Sequence, residues 1–184
     1  VMHDAAMFYG AMTDDKSDIL SRLNLASNGF ALATIHREEN TENCDKLNLM
    51  IAALESVAEE LPVVWPVHPR LRGQVESKSL RLIEPVGYLD MQCLVKNAAV
   101  VLTDSGGLQK EAFFHRTPCV TLRSETEWIA LLPGGHNRLA RPEIDSIQDK
   151  AEEALSADPD WELPLYGDGH SAETIAQNLI SHYS

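Results

Sequence analysis

The chain has 184 residues, 44% of them hydrophobic and 23% charged, which predicts one soluble globular domain and argues against a disordered chain. Lys and Arg total 15 against 28 Asp and Glu, a formal charge of −13. That balance argues against a general role on nucleic acid or anionic lipid, and leaves open the binding of one small anion in a locally positive cleft.

Cys44, Cys93 and Cys119 are far apart and form no C-x-x-C, so they read as free thiols in a reducing cytosol. No apolar run approaches the roughly 20 residues needed to span a bilayer, and no signal-peptide pattern opens the chain. It starts with Val1 rather than Met, which suggests a piece of a longer protein.

In chain order, residues 1–12 (VMHDAAMFYGAM) are apolar and read as helical. They are a packing helix in a free-standing domain, or the connection from a preceding one. Residues 30–36 predict a strand. Residues 41–60 predict a helix with Leu47, Met50, Ile51, Leu54, Val57 and Leu61 on one buried face and Thr41 as N-cap. Residues 62–68 are a second strand, with Pro66 marking a bend or an edge. A short helix over 71–78, a strand over 80–86 and a helix over 89–97 follow. Val100–Thr103 is a strand, 108–115 a helix, 118–122 a strand, 127–132 a helical turn and 137–140 a short strand. Residues 143–157 and Ser171–Tyr183 close the chain as helices. The Pro- and Gly-rich stretch 159–169, with Trp161 and Tyr166, reads as a long loop that must dock on something. Strands alternating with helices predict a doubly wound, Rossmann-like parallel sheet covered on both faces.

The sharpest chemical signal is VVLTDSGG followed by LQKEAFF. A buried strand ends, small residues turn, and a helix begins. Free N–H groups and the positive end of the helix dipole, glycines at Gly106 and Gly107 and the Ser105 hydroxyl together suit a phosphate. Glu111, one turn up, is placed for sugar hydroxyls. The alternative is a tight turn with an exposed Glu. A second signal, TIHREEN, follows the first strand. His36 and Arg37 there face the crevice of a parallel sheet, and Arg37 can fork onto phosphate. The alternative is a charged surface loop, with Glu38 and Glu39 capping the next helix. His68 lies between prolines and is more often structural than a ligand. Arg123, Thr126 and Glu127 follow another strand and belong to the same rim. The seven histidines show no metal spacing, so no metal is assigned.

The segments around Thr34–Asn40, Pro66–Pro69, Glu84-Pro85 to Tyr88-Leu89, Thr103–Ala112, Leu122–Glu127 and Tyr166–Gly169 together resemble the non-hydrolysing UDP-N-acetylglucosamine 2-epimerase family, in the same order. The resemblance implies the carboxyl-terminal half of a two-domain enzyme of the glycosyltransferase-B type. Residues 1–18 would be the interdomain hinge and lead-in helix, and 19–184 the UDP-binding domain; the amino-terminal domain is absent. The family interconverts UDP-GlcNAc and UDP-ManNAc by eliminating and re-adding UDP. By that analogy Ser105, Gly106 and Gly107 hold the diphosphate, Glu111 holds the ribose, and Met91 lies near the uracil where relatives often have an aromatic ring. His36 serves catalysis and Arg37 helps hold UDP. Arg37 and His68 can also belong to a second, activating UDP-sugar site, with Arg123 and Glu127 at the site's edge. Glu127-Trp128-Ile129 replaces the commoner Glu-Arg-Pro, which resembles a branch acting on modified sugars such as 6-deoxy or uronic N-acetylated hexosamines. The resemblance also implies no metal or other cofactor, a cytoplasmic homodimer as the full protein, a role in surface polysaccharide synthesis, and an inactive fragment. The alternatives are the donor half of a glycosyltransferase and a non-catalytic UDP-sugar-binding domain.

Overall fold

A computed structural model describes residues 1–141, 143 and 145–183. Six strands form one sheet: β1 (Ala31–Thr34), β2 (Val63–Pro66), β3 (Arg81–Ile83), β4 (Val100–Thr103), β5 (Cys119–Thr121) and β6 (Asn137–Leu139). Their order is β3-β2-β1-β4-β5-β6 and every pairing is parallel. β1, β2 and β4 are buried at every position. This is why their sequences run apolar without alternating: both faces of a parallel sheet are covered.

Successive side chains on a strand point to opposite faces, and the core divides accordingly. Ala33, Trp65, Leu102 and Val120 pack with Leu47 and Leu54 of α4 (Cys44–Ala58) and with Ile147 and Ala151 of α7 (Ile147–Leu155). On the other face Leu32, Val64 and Val101 meet Ile19 of α2 (Ile19–Arg22), Leu94 of α5 (Tyr88–Asn97) and Ala112 of α6 (Gly106–Phe114). α1 (Met2–Lys16) lies over α5 and α6. Lys96 ties it to Asp14 at 2.9 Å, and Ser17 donates to Asp90 at 2.6 Å. The strand order reverses between β1 and β4, so the crevice where ligands of such sheets bind lies at the carboxyl ends of those two strands.

Several elements depart from the sequence expectation. The helix predicted over 41–60 is two: a single turn, α3 (Glu38–Thr41), then α4. Asn43, not Thr41, caps α4, its side chain accepting from the amides of Asp45 and Lys46; Thr41 instead donates to the Arg37 carbonyl at 2.8 Å. Arg37 holds the N-cap position of α3, while Glu38 and Glu39 lie in its first turn and pair with Arg70 and Arg37. Pro66 is the last residue of β2, a strand inside the sheet rather than at its edge. β2 pairs with β1 only as far as Val64, so Pro66 lies beyond that pairing and meets Ile83 of β3 alone. Residues 71–78 hold no α-helix; a 3-10 turn over Pro69–Leu71 is followed by irregular chain. α7 begins at Ile147 because the Ser146 hydroxyl caps it through the Asp149 amide. Pro142 and Ile144, which bracket the start of the predicted helix over 143–157, lie outside the described residues.

The loop over 159–169 docks on the end of α6. Trp161 and Tyr166 pack with Phe113 and Phe114, and His136 contacts Phe113 edge-on at 5.0 Å. α8 (Ser171–Tyr183) follows, tied to α1 by the Ala172 amide donating to Asp4 at 2.7 Å.

Gly10 admits the His115 ring against α1: a Cβ there would lie 2.5 Å from the ring's Cε1. His115 Nε2 meets the Gln92 amide oxygen at 2.7 Å. Burial, with Lys96 adding to it, pulls the His115 imidazolium down to about 4. In the unfolded chain the same ring titrates near its ordinary value of about 6.5. The unfolded state therefore takes up a proton that the fold refuses. Stability is expected to hold above about pH 6.5 and to fall as the pH drops toward 4. Urea midpoints at pH 7 and pH 5 check this, and His115→Gln should flatten the slope between them.

Candidate nucleotide-binding site

The helix that follows β4 opens on the same rim as the loop after β1, and one buried carboxylate joins the two. Asp104 has no exposed surface. Its oxygens accept from the amide of His36 at 3.1 Å, the amide of Arg37 at 3.0 Å and the side-chain amide of Asn40 at 3.0 Å. Thr34 and Thr103 share a hydrogen bond of 2.6 Å at the strand ends just below. The His36 carbonyl is gripped from the other side by Arg70 Nη2 at 2.5 Å. His36 is thus held at both its backbone groups. Neither Asp104 nor Arg70 stood out in the sequence. A charged residue directly after a four-residue buried strand is the signal that could have pointed to Asp104.

The start of α6 has the features expected of an anion cradle. Ser105 is its N-cap; the hydroxyl accepts from the Leu108 amide at 3.4 Å, which leaves its own proton to donate elsewhere. Gly106 and Gly107 are the first two helical positions, whose amides have no intrahelical acceptor. Glu111 lies one turn on and is half-buried, and desolvation raises its carboxyl above the ordinary range. Tyr88, at the start of α5, donates to it at 3.2 Å. Tyr88 was missed by the sequence reading, because the contact crosses from one helix to another.

Beside the cradle, an apolar crevice of about 140 Å³ runs between the ends of β1, β2 and β3; Met91, Pro66, Pro85 and Val86 line it with His36 and His68. The two histidine rings lie 5.9 Å apart, so His68 shares this crevice with His36. Its Nδ1 also caps the turn that follows, accepting from the Arg70 amide at 3.3 Å. Arg37 faces the other way, toward Glu39 at 3.1 Å and Glu127 at 3.4 Å. The loop carrying Arg123 and Glu127 is pinned to α6 by a buried polar chain. Thr126 donates to Gln109 at 2.5 Å, Asn137 donates to the same oxygen at 3.1 Å, and Thr121 donates to Asn137 at 2.9 Å. Trp128 adds a hydrogen bond of 2.7 Å to the Gly106 carbonyl, and Lys110 sits 4.0 Å over its ring.

A sheet of order 3-2-1-4-5-6, with a glycine-started helix at its switch point, defines a Rossmann-like domain. Its sequence matches the model of the UDP-N-acetylglucosamine 2-epimerase family over residues 1–180, and the chain belongs to that family. Among its relatives, the UDP-2,3-diacetamido-2,3-dideoxy-D-glucuronate 2-epimerase of Pseudomonas aeruginosa is 42% identical, over 97% of this chain and 51% of that protein. A UDP-N-acetylglucosamine 2-epimerase of Methanococcus maripaludis is 37% identical over 82% of this chain and 44% of that protein. The crystal structure of the Methanocaldococcus jannaschii UDP-GlcNAc 2-epimerase with UDP-GlcNAc and UDP superposes with a TM-score of 0.85 at 29% identity. It covers 98% of this chain and 53% of the other. The chain spans about half the length of the curated relatives it matches.

Proposed function

We propose that this chain is the UDP-binding half of a UDP-N-acetylhexosamine 2-epimerase. The single observation that carries the reading is the convergence of His36 and the α6 start on Asp104, which places a histidine and a free helix N-terminus on one rim. The amides of Gly106 and Gly107 with the Ser105 hydroxyl receive the diphosphate. The crevice at Met91 takes the uracil, and Glu111 takes the ribose hydroxyls in place of Tyr88.

Breaking the anomeric C–O bond sends its electron pair to the β-phosphate oxygen, while the proton on C2 goes to a base outside this chain. The charge that develops on UDP then falls against fixed helix amides and the His36 ring, which need no reorganisation to meet it. Re-addition of UDP after C2 is reprotonated on the opposite face gives the epimer. Bases for C2 come from an amino-terminal half, so the chain by itself binds UDP without turnover. The sugar is a modified N-acetylhexosamine, a reading supported by the diacetamido-glucuronate substrate named for the relative at 42% identity. The whole protein would act as a cytoplasmic homodimer supplying surface polysaccharide precursors. The donor half of a glycosyltransferase has only fold in its favour: the wall teichoic acid polymerase TagF superposes with a TM-score of 0.53 at 12% identity.

Titrating UDP into the isotope-labelled chain tests the reading. Saturable shifts are expected at the amides of Ser105, Gly106 and Gly107 and at Met91. Shifts confined to the opposite rim, or none, would refute it. With the amino-terminal half restored, exchange of the C2 proton of UDP-GlcNAc without any acceptor separates an epimerase from a transferase.

A further inference from the structure

Arg123 is almost wholly buried for a rim arginine, with 8% of its side chain exposed. It holds the Glu127 carboxylate as a fork, Nη1 to Oε2 at 2.9 Å and Nη2 to Oε1 at 3.2 Å. Arg37 Nη2 joins the same Oε1 at 3.4 Å, and Glu39 Oε1 lies outside the fork, 3.1 Å from Arg37 Nη1 and 3.9 Å from Arg123 Nε. Glu127 itself is half exposed, and its Oε2 lies 3.5 Å from where a Cβ on Gly106 would sit. A seat shaped for one planar carboxylate therefore lies between two guanidinium groups and the start of α6. It opens on a polar cavity of about 210 Å³ where Arg37, Lys46, Arg123 and Arg141 line the wall together with Glu39, Glu125 and Glu143, separate from the apolar crevice at Met91.

The ion pair is not the loop's only anchor. Thr126 and Trp128 already fasten it to α6, and the Arg123 amide donates to the Thr121 carbonyl at 2.8 Å. A buried guanidinium needs an anion, because leaving it unpaired is strongly destabilising. An exposed carboxylate is an exchangeable partner, since pairs open to water contribute little. Substituting another carboxylate keeps the fork intact.

We propose that Arg123, assisted by Arg37, is the specificity-determining receptor for a carboxylate on the substrate's sugar, with Glu127 filling the seat until that carboxylate arrives. The inference rests on the UDP-sugar reading above and names the sugar as a hexuronate. The diphosphate goes to the α6 amides and the sugar carboxylate to the arginines, two anions side by side on different donors.

Calorimetric titration of this chain with UDP, UDP-glucose and UDP-glucuronate tests it, since the two sugars differ only at C6. UDP-glucuronate is expected to bind about tenfold more tightly than UDP-glucose, a difference on the scale of a charge-assisted hydrogen-bonded pair. Arg123→Gln should bring that ratio to about one. Glu127→Ala, which removes the internal competitor, should raise it; these opposite signs do not follow from misfolding. Equal binding of the two sugars overturns the proposal, as does a ratio that Arg123→Gln leaves in place. If Arg123→Gln weakens UDP as much as UDP-glucuronate, the anion in the seat is the diphosphate and the proposal also falls. Failure of UDP itself to bind overturns the nucleotide reading, and the carboxylate seat with it.

Discussion

Asp104→Ala should eliminate measurable UDP binding by this chain and lower its stability by about 3 kcal/mol. The magnitude follows from what the carboxylate satisfies. Three N–H donors converge on it, two from the loop backbone at His36 and Arg37 and one from the buried Asn40 side chain. Leaving a buried donor unpaired costs roughly 1–3 kcal/mol each, and the two loop amides, being partly open to water, recover some of that. The functional loss is larger than the stability loss suggests. Among the described residues no other carboxylate holds the amides of His36 and Arg37, and Arg70 then holds the His36 carbonyl alone. Asp104→Asn is the sharper variant. It keeps one acceptor but turns an NH2 group toward donors, so it should fall between wild type and alanine in both assays. Urea melts and UDP calorimetry on the two variants check the expectation. A variant that loses its acceptor yet binds UDP normally would mean that the loop after β1 is set by other contacts.

Gly106→Ala should weaken UDP binding by at least tenfold while leaving the fold as stable as before or slightly more so. A Cβ at Gly106 meets only Glu127 Oε2 at 3.5 Å and Trp128 Nε1 at 3.6 Å, ordinary contacts that demand no rearrangement. Gly106 also needs no left-handed backbone, unlike Gly135 or Gly167. Alanine is the better helix former, and replacing an unstrained glycine narrows the unfolded ensemble, each effect worth a few tenths to about 1 kcal/mol. The protein thus has no stability reason for glycine at this position. On the proposed reading the reason is close approach: a methyl group there would stand where phosphate oxygens reach the first amides of α6. Thermal melts and UDP titration should move in opposite directions. A binding constant unaffected by Gly106→Ala would remove the cradle from the site.

The order of these effects shows where the sequence was informative. Short apolar runs separated by amphipathic segments were enough to place all six strands, because burial on both faces of a parallel sheet writes itself into every residue of β1, β2 and β4. The helix start proposed as a cradle was legible for the same local reason: Ser105, Gly106 and Gly107 are contiguous and their geometry follows from a helix beginning there. The break between α3 and α4 was not, since Leu47, Met50, Ile51 and Leu54 keep helical spacing and the Asn43 cap competes with an equally plausible Thr41.

Composition, periodicity and the strand-end motifs by themselves determined the sheet, its two covered faces, and the candidacy of His36, Arg37, Ser105, Gly106, Gly107 and Glu111. Tertiary structure alone decided which isolated polar groups meet. It set Asp104 beneath residues 64 to 68 positions earlier in the chain, put Tyr88 on Glu111, and turned Arg37 toward Glu127 across 90 positions. The physical reason is that burial patterns repeat along the chain and can be read locally, whereas a hydrogen bond between single side chains depends on distances that only the folded sheet creates.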